Sequence, residues 1–205
     1  SPPDITEEEI AEVVDALKSG WITTGPKTKL FEKQLAEYIG TNRVVCLNSA
    51  TACLEMTLRL LGIGPGDEVI TTAYTYTASA SVVEHVGAKL VLVDVAKDSY
   101  EMDYEKLADA ITEKTKAIIG VHLYGQPFEF NKVKEIADRH HLYVVEDCAQ
   151  GHDALYEGKM VGTLGDLGCF SFYPGKNLYA FGEGGSVTGY RKEYFDTIEM
   201  MKNQG

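Results

Sequence analysis

The sequence is poor in basic residues, in tryptophan and in paired cysteine. Nineteen Lys and Arg stand against thirty-one Asp and Glu, a formal charge of -12 at pH 7. Binding a polyanion needs a basic face, so this balance argues against a nucleic-acid partner. An anionic substrate would have to be held by local donors rather than by the overall field. No apolar run approaches the ~20 residues that cross a bilayer, and no charged-then-apolar signal pattern opens the chain. The expectation is a cytoplasmic protein with no membrane partner. Cys46, Cys53, Cys148 and Cys169 form no CxxC pair and sit in or beside apolar stretches, so they read as buried free thiols of a reducing compartment. The five histidines show no metal-ligand spacing, and no metal is expected. His140 and His141 close a helix-like stretch, where a cation near the carbonyl ends is favourable.

What is present is a globular composition, 44% hydrophobic over 205 residues, enough for one large domain or two small ones. "TEEEIAEVVDALKSG" carries Thr6 and Glu9 in capping-box spacing and stops at Gly20, which predicts an amphipathic helix. Pro26 starts a second helix that runs to Gly40. Beyond it, apolar runs suited to buried strands ("RVVCL", "DEVITT", "KLVLVDV", "KAIIGVHL", "LYVVED") alternate with helical stretches ("SATACLEMTLRLLG", "TYTASASVVEHVG", "DYEKLADAI", "FNKVKEIADRHH"). Short continuous apolar strands between helices imply an α/β fold, a mostly parallel sheet flanked by helices on both faces. "KEYFDTIEMMKNQG" predicts a last helix with nothing evident to pack against. "GIGPGDEV" is a turn and not a dinucleotide fingerprint, because its glycines precede a strand instead of following one.

Ligands in an open parallel sheet bind beyond the carboxyl ends of the strands, and three such ends carry polar residues. In "CLNSATACLEM", Ser49 is placed to cap a helix whose first turn, Ala50–Thr51–Ala52, is uncrowded. Free N–H groups and the helix dipole suit a phosphate there, although a plain N-cap needs only Ser49. In "LYVVEDCAQGHDA", Asp147 ends a very apolar strand. A buried carboxylate needs a cation or several hydrogen bonds, and the protonated ring nitrogen of a pyridine cofactor is one fitting partner; a helix cap or structural ion pair is the other reading. Gln150 lies one turn on, as does His152, which is more often structural in such a place.

The third end is "SFYPGKNLYAFGEGG", where Lys176 stands among aromatic and glycine residues and the next carboxylate is Glu183. Desolvation by Phe170, Phe172, Tyr173 and Tyr179 would favour the free amine, a nucleophile toward carbonyls. Glycines 182, 184 and 185 would let the chain turn and pass close to a ligand. An exposed turn lysine is the alternative. Together, a phosphate cradle, a carboxylate for a pyridinium and an amine for a Schiff base are the anchors that pyridoxal phosphate requires. Tyr74 and Tyr76, beyond "DEVITT", add aromatic faces, either for stacking on such a ring or for packing.

The segments "SPPDIT", "GWITTGPKT", "NSATACLEMTL", "GIGPGDEVITT", "VHLYGQP", "VVEDCAQ" and "FSFYPGKNLYAFGEGG" closely resemble those of the pyridoxal-phosphate-dependent nucleotide-sugar aminotransferases, the DegT/DnrJ/StrS group of the fold type I aspartate-aminotransferase fold. The resemblance implies pyridoxal 5'-phosphate as cofactor, with Lys176 as the covalent attachment point and proton carrier. It implies Asp147 as partner of the ring nitrogen and Gln150 as a contact to ring substituents. Ser171, with Ser49, Ala50 and Thr51, would hold phosphate, Tyr76 would stack on the ring, and Thr24 would face the substrate. A related dehydratase subgroup has histidine where Lys176 stands, so transamination is implied. The substrates would be a keto sugar on a nucleoside diphosphate and an amino-acid donor, glutamate first, in amino-sugar or surface-polysaccharide synthesis. Family members are homodimers with a smaller C-terminal domain, so residues 1–205 are expected to be the N-terminal part that includes the large PLP-binding domain. Three other readings compete: a non-catalytic relative with a binding or regulatory role, a cofactor-free Schiff-base lyase, and a PLP enzyme acting on a non-sugar keto substrate.

Overall fold

The computed structural model describes residues 4–204. Residues 1–3, the start of "SPPDIT", and residue 205 lie outside the described residues. Helix α1 (Glu7–Ser19) begins with the expected capping box, in which Thr6 Oγ1 accepts from the Glu8 N–H and Glu9 accepts from the Thr6 N–H. It ends at Gly20 with φ 78°. The helix is amphipathic yet buries no residue, so Ile10, Val14 and Leu17 stay at the surface. Pro26 opens α2 (Pro26–Ile39), and Gly40 closes it in the left-handed conformation.

The alternating region then follows the sequence expectation: β1 (Arg43–Leu47), α3 (Ala50–Leu60), β2 (Glu68–Thr72), α4 (Ala78–His85), β3 (Lys89–Val93), α5 (Tyr104–Asp109), β4 (Thr115–Val121), α6 (Phe130–His140) and β5 (Tyr143–Asp147). Four strands were not evident from the sequence. A two-stranded hairpin, β6 (Leu155–Tyr156) and β7 (Lys159–Met160), precedes β8 (Leu167–Ser171) and β9 (Gly185–Gly189). Glycine stands inside β8 and at both ends of β9, which hides a strand from pattern reading. The expectation of an unpacked final helix is corrected: α7 (Lys192–Lys202) buries Phe195 and Ile198 in the core beside α3 and β1.

The sheet runs β1-β9-β8-β5-β4-β2-β3. β9 is antiparallel to both its neighbours, and every other pair is parallel. The register aligns Ile70, Ile118 and Val144 on one face, under α5 and α6. Val69, Ala117, Ile119 and Val145 point the other way, under α3, α4 and α7. With both faces covered, β2, β8 and β9 are buried along their whole length. No helix of the described residues is long and apolar enough to cross a membrane.

Candidate functional site

Because β1, β2, β4, β5 and β8 all point the same way, their carboxyl ends meet at one edge. The antiparallel β9 starts there, since Gly185 registers with both Leu47 and Ser171. A cleft of about 570 Å³ opens at this edge, within the range of small-molecule sites. The structure brings Ser49, Ala50, Thr51, Tyr76, Asp147, Gln150, Ser171 and Lys176 together around it. Residues drawn from four separate stretches of sequence therefore share one cavity.

One wall is the start of α3. Ser49 Oγ accepts from the Ala52 N–H at 3.1 Å, and the Ser49 carbonyl accepts from Cys53. Among the described residues nothing accepts from the N–H groups of Ala50 or Thr51, so both remain available at the positive end of the helix. Gly185 lies flush against this turn: a Cβ there would meet the Ser49 carbonyl carbon at 2.5 Å and the Ala50 nitrogen at 2.7 Å. Close approach is thus the reason for that glycine, as expected, but the surface approached is the α3 backbone and not a ligand. Gly182, with φ 138°, supplies the turn.

Opposite stands Asp147 at the end of β5, only 5% exposed. Its Oδ1 accepts from the Ala149 N–H at 3.0 Å, and its Oδ2 accepts from the Ser79 hydroxyl at 2.7 Å. No cation among the described residues pairs with it. Two donors leave lone pairs of a buried carboxylate directed at the cleft, a demand for an N–H donor from a ligand. Gln150 Oε1 accepts from the Tyr124 N–H at 2.7 Å, which assigns the amide and leaves its NH₂ free to donate into the cleft. Tyr124 makes this contact from a left-handed conformation, φ 56°, ψ 24°.

Lys176 is half-buried, shares the cleft with Glu183 and pairs with no acid among the described residues. The expected aromatic enclosure is corrected. Phe170 and Phe172 turn into a core cluster with Leu35, Ile39 and Val44, and Tyr179 donates to the Asp4 carbonyl at 2.8 Å. Tyr173 alone of the four lines the cleft. Of the two candidate stacking tyrosines, Tyr76 lines the cleft and is 74% exposed. Tyr74 stacks instead on Tyr100, with centroids 5.5 Å apart. Thr24 is exposed in the loop before α2 and is not among the cleft residues. His152 is structural: its Nε2–H donates to the Ser171 carbonyl at 2.8 Å, and burial holds its pKa down.

Sequence reading passed over Ser79, Thr75, Asn48 and Glu183. Ser79 and Thr75 looked like ordinary residues of a helix start, and only the proximity of α4 to β5 gives them a role. It also passed over Glu146, fully buried and held by the N–H groups of Gly162, Leu164 and Gly165 and by His122 Nε2. Cys148 lies beside this pair, but four donors already occupy the carboxylate, so the group is a clamp on the 162–165 loop. All four cysteines are free; Cys46 is only half-buried, and desolvation still pushes its thiol up to about 12.

A doubly covered, mostly parallel sheet with donors, a carboxylate and an amine at its carboxyl edge defines a small-molecule-binding α/β domain. The chain belongs to the DegT/DnrJ/EryC1/StrS aminotransferase family, whose model matches residues 3–205. It is 43% identical over 200 residues to the dTDP-3-amino-3,4,6-trideoxy-alpha-D-glucose transaminase of Streptomyces venezuelae, covering 98% of this chain and 52% of the relative. It is 42% identical over 205 residues to the spore coat polysaccharide biosynthesis protein SpsC of Bacillus subtilis, covering 100% of this chain and 52% of that protein. Its fold superposes on the PLP form of the Streptococcus pneumoniae protein Spr1654 with a TM-score of 0.92 and 47% identity, over 98% of this chain and 55% of that one. The chain spans about half the length of the curated relatives it matches.

Proposed function

We propose that this chain carries the cofactor-binding core of a pyridoxal-phosphate-dependent aminotransferase that places nitrogen on a keto sugar attached to a nucleoside diphosphate. The observation that carries the reading is the buried Asp147, paired with no cation among the described residues, lining the same cleft as the Lys176 amine and the N–H groups of Ala50 and Thr51. A transaminase of dTDP-sugars among the relatives supports the substrate class.

The residues fit the cofactor group by group. The N–H groups of Ala50 and Thr51, with Ser49 and Ser171, would hold the phosphate. Asp147 would accept from the protonated ring nitrogen, Gln150 would donate to a ring substituent, and Tyr76 would cover one ring face. When bound, the cofactor supplies an electron sink for negative charge beside the transferred nitrogen. The chain would supply the proton movement: the Lys176 amine, in the same cleft, would hold the cofactor covalently and would serve as the group that takes up and returns a proton. Thr24 is assigned to the substrate side on resemblance alone. In this reading residues 1–205 are the N-terminal part that includes the large domain. A smaller domain completes the site, two copies pair, glutamate is the first donor to test, and the four free thiols suit a cytoplasmic setting.

The test is borohydride reduction of the protein with pyridoxal phosphate, followed by peptide mass analysis, and a donor assay with glutamate and nucleotide-linked keto sugars. Modification of Lys176, lost in Lys176→Ala, with glutamate-dependent amination is the expected result. Cofactor trapped at scattered surface lysines, or none trapped, overturns the reading.

A further inference from the structure

Asp147 does not hold its own orientation. Its Oδ2 is met by the hydroxyl of Ser79, 68 residues away in sequence, on the second residue of α4. Ser79 is fully buried. An ionised carboxylate only accepts, so the single Ser79 proton must point at Asp147. Thr75 Oγ1 lies 3.0 Å from Ser79 Oγ, and with that proton committed, Thr75 has to be the donor of the pair. The result is a directed chain, Thr75 to Ser79 to Asp147, in which each hydrogen bond polarises the next. The Ser79 N–H also donates to the Tyr76 carbonyl at 3.2 Å. One buried serine therefore ties the carboxylate at the end of β5 to the loop that presents Tyr76.

We infer that Ser79, backed by Thr75, is a positioning residue that fixes the plane of the Asp147 carboxylate, leaving it aimed at the ring nitrogen of a bound pyridine. This rests on the function proposed above. Ser79 touches neither substrate nor cofactor in this role; it acts through Asp147. Donation to Oδ2 stabilises the charged carboxylate and comes from a residue that does not itself line the cleft, so the bond fixes the carboxylate without occupying ligand space. The alternative, a serine that merely satisfies a buried acid, predicts changes in stability alone.

The experiment measures, in the full chain, pyridoxal phosphate affinity by equilibrium dialysis and the ring-nitrogen NMR shift of isotope-labelled pyridoxal phosphate. The parent should show a protonated ring nitrogen. Ser79→Ala should bind about ten-fold more weakly, the effect of losing one hydrogen bond to a charged group, and its nitrogen shift should move toward the unprotonated value. Ser79→Thr should restore both, and Thr75→Val should fall between. Should Ser79→Ala fail to fold, Ser79→Cys keeps the volume with a weaker donor and takes its place. A nitrogen shift and affinity unchanged from the parent overturn the positioning role while leaving the cofactor assignment intact. Absence of pyridoxal phosphate binding by the parent overturns both.

Discussion

Glu146 and Asp147 are consecutive residues of β5 whose carboxylates serve opposite ends. Glu146 is saturated by three backbone N–H groups at 2.7 to 2.8 Å and by His122 at 2.9 Å. Asp147 keeps capacity open toward the cleft. Strand alternation sends the two side chains to opposite faces of the sheet, so a pair that reads as one acidic unit divides into a structural clamp and a ligand-facing group.

The clamp makes the first prediction. Glu146→Gln replaces an acceptor oxygen with an NH₂ that faces backbone donors, leaving buried N–H groups unpaired. The loss should be about 2–4 kcal/mol of folding stability, read as a lower urea midpoint at unchanged slope. A midpoint within error of the parent would show that the loop does not depend on this carboxylate.

Asp147→Asn should behave differently. Amination turnover should fall by about 10²–10³-fold, the scale of losing one preorganised electrostatic partner, while borohydride still traps cofactor on Lys176. The comparison is kcat against trapping yield. Equal loss of both would assign Asp147 to cofactor retention and not to the chemistry.

Gly185→Ala tests the packing behind the α3 cradle. A methyl group 2.5 Å from the Ser49 carbonyl carbon must displace backbone, so stability should fall by about 1–3 kcal/mol. Inorganic phosphate should also compete less well with pyridoxal phosphate, because the N–H groups of Ala50 and Thr51 move. Unaltered phosphate competition would separate Gly185 from the cradle.

His152 gives a pH dependence with a defined sign. Burial holds its imidazole below the ordinary 6.5, so the folded state favours the neutral ring that donates to Ser171. The unfolded chain takes up the proton more readily. The contribution is therefore complete above about pH 6.5 and is lost as pH falls through the lower folded value. His152→Gln keeps an N–H donor and removes the titration, so its urea midpoint should drop less than the parent's between about pH 7 and about pH 5. Parallel drops would exclude His152 as the source.

Much of this was legible in the chain itself. Thr6 with Glu9, Pro26, Gly20 and Gly40 carry local signals, and each acts within one turn of where it stands. The five strands β1 to β5 were visible because each is a run of mostly apolar, β-branched residues set between helical stretches. β8 and β9 escaped because glycine interrupts "LGCFS" and closes both ends of "GSVTG", and their strand character comes from neighbours on both sides. The packing of α7 escaped because Phe195 and Ile198 find their partners on α3 and β1, far back in sequence.

The sequence by itself determined the class of fold, the helix ends and the chemistry available, since residue type and local spacing carry that information. Tertiary structure decided which groups meet. It put Tyr76 in the cleft and Tyr74 on Tyr100, left Thr24 outside, set Lys176 in the cleft with only Tyr173 of the four expected aromatics, and set Ser79 against Asp147. Those outcomes depend on strand order and register, which bring residues tens of positions apart within hydrogen-bond reach, and no local pattern encodes them.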